Sequence, residues 1–412
     1  MTVLGKRFNP KDALYFAWIG LLALLVAGGV ATAVYVFMKG LVVTNLTNQV
    51  PWGLWITVDL SSIALSGGAF FLSALVYIVG IKRFMPAARL AVFAGLLGYS
   101  AAMCTLLLDI GRPDRFYHAM IFWNTHSMLW EVSMCIMLYF SVLTLEVFPL
   151  VMTLKFFDRF PRIQNLAHKV HKFAPVLAVL GLCFSLLHQS SLGATYGVVA
   201  ARPIWFRPTM PLMFITSAMA AGPAFVITIA LVVGWLRKDE IVPRDVLFDI
   251  GRIAAFVLLV FLYMRFWDFE AGNYGNVPLR SEATRVMTQG PMAMSFWTWE
   301  IVLGGIVPAV LMLTAKKADS EAALFVGGAL ATIGLIFNRW HTTMIGFLTP
   351  LSTDPVLAFP LVPTYTPAWT EWVVAIGIVS GVLLALSLGV RYLPVFRPDY
   401  GAAEHPHAAA TD

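Results

Sequence analysis

Apolar residues run through this chain in ten long blocks, and most charged positions fall between them. The blocks lie at 13–38, 53–80, 88–109, 127–148, 172–196, 209–236, 250–268, 294–314, 321–345 and 369–392. About 20 apolar residues cross the hydrocarbon of a bilayer as a helix, so the pattern predicts an all-α polytopic membrane protein with ten spans. The first block is too long for the core of a cleaved leader and reads as a retained helix.

Span 2 breaks its own pattern. It opens on Pro51 and the interfacial tryptophans Trp52 and Trp55, then carries a carboxylate, Asp59. Seven residues beyond Trp52, at the helical rise, put Asp59 roughly 10 Å into the membrane. A charge at such depth costs about 2.5–3.5 kcal/mol on insertion scales, so Asp59 needs a partner, a proton or a task. Ser62, Ser66 and Ser73 follow at i+3, i+7 and i+14, on one helical face. That stripe either passes protons inward or lets helices pack closely.

Basic residues orient the chain. Of 28 lysines and arginines, nineteen lie with the N-terminus, the tail and the loops on their side, and seven on the other side. Both termini are therefore expected in the cytoplasm. With that topology the buried polar residues gather towards the outer face: Asp59, Asp109 with Arg112, Glu131, His188, Arg265 with Asp268, Glu300, Arg339 with His341, and Glu371. Glu146, in the inner part of span 4, is the main exception. Eight helices contributing ionisable groups at one depth define a site rather than ordinary snorkelling. Trp130-Glu131 in span 4 is echoed by Trp299-Glu300 in span 8, so spans 2–5 and 6–9 are expected to form two related four-helix bundles flanked by spans 1 and 10.

Composition narrows the chemistry. With 59% hydrophobic and 12% charged residues and mean hydropathy +0.79, a pI near 9.2 reflects topology, not nucleic-acid binding. Cys104, Cys135 and Cys183 fall inside predicted spans without a CxxC pair; they read as small buried apolar residues, with no metal or iron–sulfur site of the chain's own. Three classes remain. A quinone site needs hydrogen-bond donors to two carbonyls and titratable groups nearby, which His188, Asp59 and Glu131 supply. A haem-binding quinol oxidase needs facing histidines, and only His188 and His341 qualify. A secondary transporter fits the internal repeat, although its site would be expected nearer the midplane.

The motifs PWGLWITVDL, LLLDIGR, LWEVSMC, HQSSLG, FWTWEIVLG and PTYTPAWTEW, in that order over spans 2–10, resemble the NrfD/polysulfide reductase membrane subunit family. The likeness is to its ten-helix branch, which includes the HybB, DsrP and QrcD subunits. The resemblance implies a haem-free subunit of the bacterial inner membrane that binds menaquinone or ubiquinone near the outer face. It also implies electron exchange with a four-cluster ferredoxin-like subunit on the periplasmic side, with a periplasmic catalytic subunit or multihaem cytochrome c beyond. By motif it reaches Asp59, Asp109, Arg112, Glu131, His188, Arg265, Glu300, Arg339, Tyr365 and Glu371.

Together these readings make Asp59, Glu131 and His188 the reacting groups, with Asp109, Arg112, Arg339 and Tyr365 around the quinone. Arg339 or Arg112 is expected to hold a carboxylate charged. Protons are expected along Ser62, Ser66 and Ser73, with Tyr139 and Glu146 of span 4 as a second lining. Residues 1–398 form the membrane domain, and 399–412 read as a disordered cytoplasmic tail whose His405 and His407 face solvent.

Overall fold

In the computed structural model, residues 2, 3, 6, 7, 10–349 and 365–394 are described; the expected tail at 399–412 and most of the 346–368 loop lie outside them. Thr2–Val3 and Lys6–Arg7 form a two-residue antiparallel pair, and the rest is helix and connecting loop. Among the described residues, ten helices are long and apolar enough to span: Ala13–Lys39, Leu54–Tyr77, Lys82–Asp109, Met128–Val151, Ala174–Gly197, Met210–Arg237, Arg244–Tyr274, Ala293–Ala315, Glu321–Phe347 and Trp369–Tyr392. They coincide with the ten blocks to within a few residues, except that span 3 begins earlier and span 7 extends further at both ends.

Local signals set the boundaries. Ser127 caps span 4 by accepting from the Trp130 N–H at 3.4 Å, and Ser320 caps span 9 by accepting from the Ala323 N–H at 3.1 Å. Pro175 and Pro211 stand in the first turns of spans 5 and 6, where a missing N–H costs nothing.

Spans 2, 3, 4 and 5 pack in a ring, and so do spans 6, 7, 8 and 9. Spans 1 and 10 pair with each other and lean on spans 2 and 3. The two rings join where span 2 meets spans 6 and 9, and where span 5 meets span 6. The approach of span 2 to span 6 is backbone on backbone: a Cβ on Gly222 would lie 2.0 Å from the Gly68 nitrogen, so only glycine fits. Span 2 is interrupted at Ser66, just before this contact, into Leu54–Leu65 and Gly67–Tyr77. It is also the most buried span, with 65% of its most apolar stretch inside the protein against 22% for span 1. Asp59 thus lies on the central helix.

Span 8 is wound as a π-helix from Phe296 to Ile306, centred near Glu300. Such wide turns concentrate at functional or strained positions. Cys135 is buried as expected, but Cys104 and Cys183 are exposed on the outside of the helices, because one apolar residue can face lipid as readily as protein.

Candidate functional site

The site end of the protein is the end where spans 2, 4, 6, 8 and 10 begin and spans 3, 5, 7 and 9 finish. In the first bundle Asp59 is 2% exposed and within electrostatic reach of Asp109 on span 3. Neither the Asp59 Oδ1 nor the Asp109 Oδ1 accepts a hydrogen bond from any described residue. His188 of span 5 is wholly buried; its Nδ1 lies 2.9 Å from the Tyr99 hydroxyl of span 3, and its Nε2 has no partner among the described residues. One turn further along span 5, the Ser191 hydroxyl lies 2.5 Å from the Glu131 Oε1 of span 4. The Gln189 amide donates to the Ile63 carbonyl at 3.0 Å and leaves its Oε1 unpaired.

Among the described residues, six of the nine buried side-chain atoms without a partner sit on spans 2, 3 and 5 of this bundle: Asp59, Ser61, Asp109, Ser185, His188 and Gln189. The other three are guanidinium nitrogens. Buried polar atoms are nearly always satisfied, so this concentration marks a place fitted to bind a hydrogen-bonding molecule.

Above the acids, Tyr365 and Glu371 tie span 10 to span 2. The Tyr365 hydroxyl donates to the Glu371 Oε1 and accepts from the Leu54 N–H at 3.0 Å. The Glu371 Oε2 accepts from the N–H groups of Asn45 at 3.1 Å and Ala368 at 2.7 Å. Burial, followed by the Glu371 carboxylate, pushes the Tyr365 phenol above its usual value and keeps it a donor. Trp52, Tyr196, Trp205 and Phe347 close the junction between the bundles, with ring centroids 4.9–6.2 Å apart.

The second bundle carries similar residue types in the opposite condition. The Glu300 Oε1 accepts from the Arg265 Nε at 3.1 Å and the Asn338 amide at 2.9 Å, while its Oε2 lies 2.6 Å from the His341 Nδ1. The His341 Nε2 meets the Ser295 hydroxyl at 2.9 Å, so both ring nitrogens are engaged. Asp268 pairs with Arg207 at 3.0 Å and Arg280 at 3.1 Å, with Arg265 at 3.8 Å. Burial lowers Arg207, in the loop before span 6, to about 10, which leaves it charged at neutral pH. Arg339 donates to the Ser217 hydroxyl at 2.8 Å and the Asn338 Oδ1 at 3.1 Å, and lies 4.0 Å over the Phe214 ring.

The expected residues therefore divide. Asp59, Asp109, Tyr365 and Glu371 gather at one end of span 2, with His188, Glu131 and Tyr99 on the neighbouring helices. Arg112 does not join them: it is exposed and bonds Asp114 at 2.9 Å, two residues away, and not Asp109. A local pair in water needs no desolvation, whereas Asp109 would have to draw the guanidinium inward. Arg339 forms no salt bridge with a carboxylate among the described residues. His188 and His341, the candidate haem pair, belong to different bundles.

Further along span 2, the Ser66 hydroxyl donates to the Ser62 carbonyl at 2.7 Å and packs against Gly98, where a Cβ would come within 2.1 Å. Ser73 and Glu146 meet in a cavity of about 640 Å³ at the opposite end, lined also by Tyr77, Arg89, His171 and Lys172. Tyr139 packs edge-on against Tyr99 at 4.7 Å and is electrostatically coupled to Glu146. Ser185 lies beside both tyrosines. Sequence reading missed Tyr99; a tyrosine inside the apolar run GLLGYSAAM was the available signal.

Among the described residues, ten spans, eight of them in two four-helix bundles with a buried titratable cluster at one end, define a polytopic membrane protein with a polar site inside its first bundle. The chain belongs to the polysulphide reductase NrfD family, whose sequence profile matches residues 42–350 and so takes in both bundles. It is 33% identical over 390 residues to the menaquinone reductase integral membrane subunit of Nitratidesulfovibrio vulgaris, covering 93% of this chain and 92% of that one. It is 25% identical over 411 residues to a selenate reductase subunit of Mesobacillus selenatarsenatis, covering 93% and 94%. It is 25% identical over 400 residues to the Hdr-like menaquinol oxidoreductase integral membrane subunit of Archaeoglobus fulgidus, covering 95% and 96%.

Proposed function

We propose that this chain is the quinone-reactive membrane subunit of a respiratory oxidoreductase complex, taking menaquinone or ubiquinone into its first bundle. The observation that carries this reading is that the first bundle buries an unpartnered imidazole nitrogen, His188 Nε2, and an unpartnered carboxylate oxygen, Asp59 Oδ1. A quinone is apolar enough to enter from lipid, carries two carbonyls that accept hydrogen bonds, and takes up two protons with two electrons. A protonated His188 Nε2 donates to one carbonyl, and Asp59 and Glu131 exchange protons with the site. The names of the relatives support the quinone class.

The nineteen-to-seven distribution of basic residues supports termini in the cytoplasm and a periplasmic site end in a bacterial inner membrane. Electrons pass between the quinone and a four-cluster iron–sulfur subunit docked on the site-end loops, with a catalytic subunit or multihaem cytochrome beyond. Protons reach the site from the opposite end through the Glu146 and Ser73 cavity, then Tyr139, Ser185 and Tyr99 to His188. Ser62 and Ser66 contribute less, because the Ser66 hydroxyl is already committed.

The test is a titration of a quinone analogue by fluorescence quenching, with wild type and His188→Ala in detergent. The expected result is saturable one-site binding that weakens tenfold or more, about 1.4 kcal/mol, in the variant. Unchanged affinity moves the quinone away from His188, and no saturable binding in the wild type overturns the quinone reading.

A further inference from the structure

At the end opposite the site, spans 4 and 5 are joined by a helix that does not cross the membrane, Pro161–Lys172, preceded by a turn of 3₁₀-helix at Lys155–Arg159. Its sequence, PRIQNLAHKVHK, is polar on average but strongly two-faced. Ala167 is buried and the Gln164 amide donates to the Met152 carbonyl at 2.8 Å, so one flank rests on span 4. The other flank turns Ile163 and Leu166 outward, Leu166 at 52% exposure. Phe156 and Phe160 of the preceding turn are exposed beside them, at 57% and 41%. This rim continues into Phe173 and Val176, exposed at the start of span 5, where the outward surface faces lipid.

The charges are one-sided. Arg159, Arg162, Lys169 and Lys172 are exposed, and Asp158 is the acid among them. The Arg159 guanidinium lies 4.4 Å over the Phe156 ring. A ring directed into acyl chains beneath a guanidinium at phosphate level is the arrangement an interface favours. The apolar rim excludes a fully aqueous setting, and the cationic face matches anionic headgroups.

We propose that Pro161–Lys172 is an in-plane anchor that binds anionic phospholipid, with Phe156, Phe160, Ile163 and Leu166 in the acyl boundary and Arg159, Arg162, Lys169 and Lys172 on the phosphates. The anchor fixes the depth of the span 4–span 5 hairpin, which carries Glu131 and His188 at its far end.

The test is native mass spectrometry of the full chain, released from detergent with dioleoylphosphatidylglycerol or dioleoylphosphatidylcholine. Each cation near an anionic surface changes partition by about fivefold. Retention of phosphatidylglycerol over phosphatidylcholine is therefore expected to exceed tenfold in the wild type and to collapse in R159Q/R162Q/K169Q/K172Q. Competition by millimolar inorganic phosphate would show a free-anion site and overturn the lipid assignment, as would equal retention in wild type and variant.

A second measurement does not depend on that variant folding. A bimane at Leu166→Cys, on the apolar flank, with the three native cysteines replaced by alanine, is expected to shift to the blue in phosphatidylglycerol bilayers relative to detergent. A probe that stays in water there means the helix stands off the membrane, free for a soluble partner, and sinks the proposal.

Discussion

Tyr99→Phe tests whether the first bundle acts through an oriented imidazole. The substitution removes one oxygen from a site where both Tyr99 and His188 are fully buried. The hydroxyl lies 2.9 Å from the His188 Nδ1, with Ser185 beside it. A phenol that donates to Nδ1 holds the ring proton on Nε2, the tautomer that the proposed quinone contact requires. A buried hydrogen bond of about 1.5 kcal/mol biases the two tautomers by roughly tenfold. Without it the competent tautomer falls towards half, so quinone affinity drops only about twofold. Turnover responds differently, because the phenol also stands behind the imidazole as its proton source; loss of a positioned proton donor costs about 100-fold or more. The expected signature is a split, with Kd near wild type and turnover down at least tenfold. It is read by quench titration beside quinone-linked turnover of the assembled complex. An affinity loss equal to that of His188→Ala would make Tyr99 a binding residue, and unaltered turnover would refute the proton relay.

The remaining predictions separate the bundles. Asp59→Asn keeps the shape but not the proton exchange, so turnover and charge movement in proteoliposomes should fall at least tenfold; full retention of both removes Asp59 from the chemistry. Glu300→Gln strips the carboxylate from Arg265 and His341, and breaking a buried pair costs about 3–5 kcal/mol. The variant should unfold at lower temperature in detergent yet bind the quinone analogue within twofold of wild type; a tenfold loss of affinity would place the ligand in the second bundle.

How far the sequence could be read depended on the range of the interaction. The spans were legible because hydropathy and helical length are local properties, and caps such as Ser127 and Ser320 stand beside the helices they start. The clustering of Asp59, Asp109, Glu131, His188 and Glu371 at one end was legible because topology fixes depth. Partnerships were not. Arg112 was a candidate partner for Asp109, but its short reach to Asp114 won. Tyr99 and His188 lie 89 residues apart in sequence and 2.9 Å apart in space, and only helix rotation decides that they meet. The serine stripe assumed an unbroken span 2, whereas the helix is interrupted at Ser66 before the backbone contact of Gly68 with Gly222. The π-helix around Glu300 left no sequence signal that hydropathy registers.

The two bundles resolve the same electrostatic problem in opposite ways. In the second, Arg207, Arg265 and Arg280 converge on Asp268 and Glu300, and His341 completes the carboxylate. Each buried acid there has a countercharge, so the network supports structure and offers little free valence to a ligand. In the first, no cation stands in salt-bridge range of Asp59, Asp109 or Glu131 among the described residues. Such a cluster survives only if protons or a ligand meet the need that cations meet in its counterpart. The Trp-Glu echo of spans 4 and 8 thus separates residues alike in sequence and unlike in partners: Glu131 faces a serine hydroxyl, Glu300 an arginine and a histidine. Contrasting Asp59→Asn with Glu300→Gln isolates that difference, since one variant is expected to lose chemistry with its fold intact and the other fold stability with its ligand affinity intact.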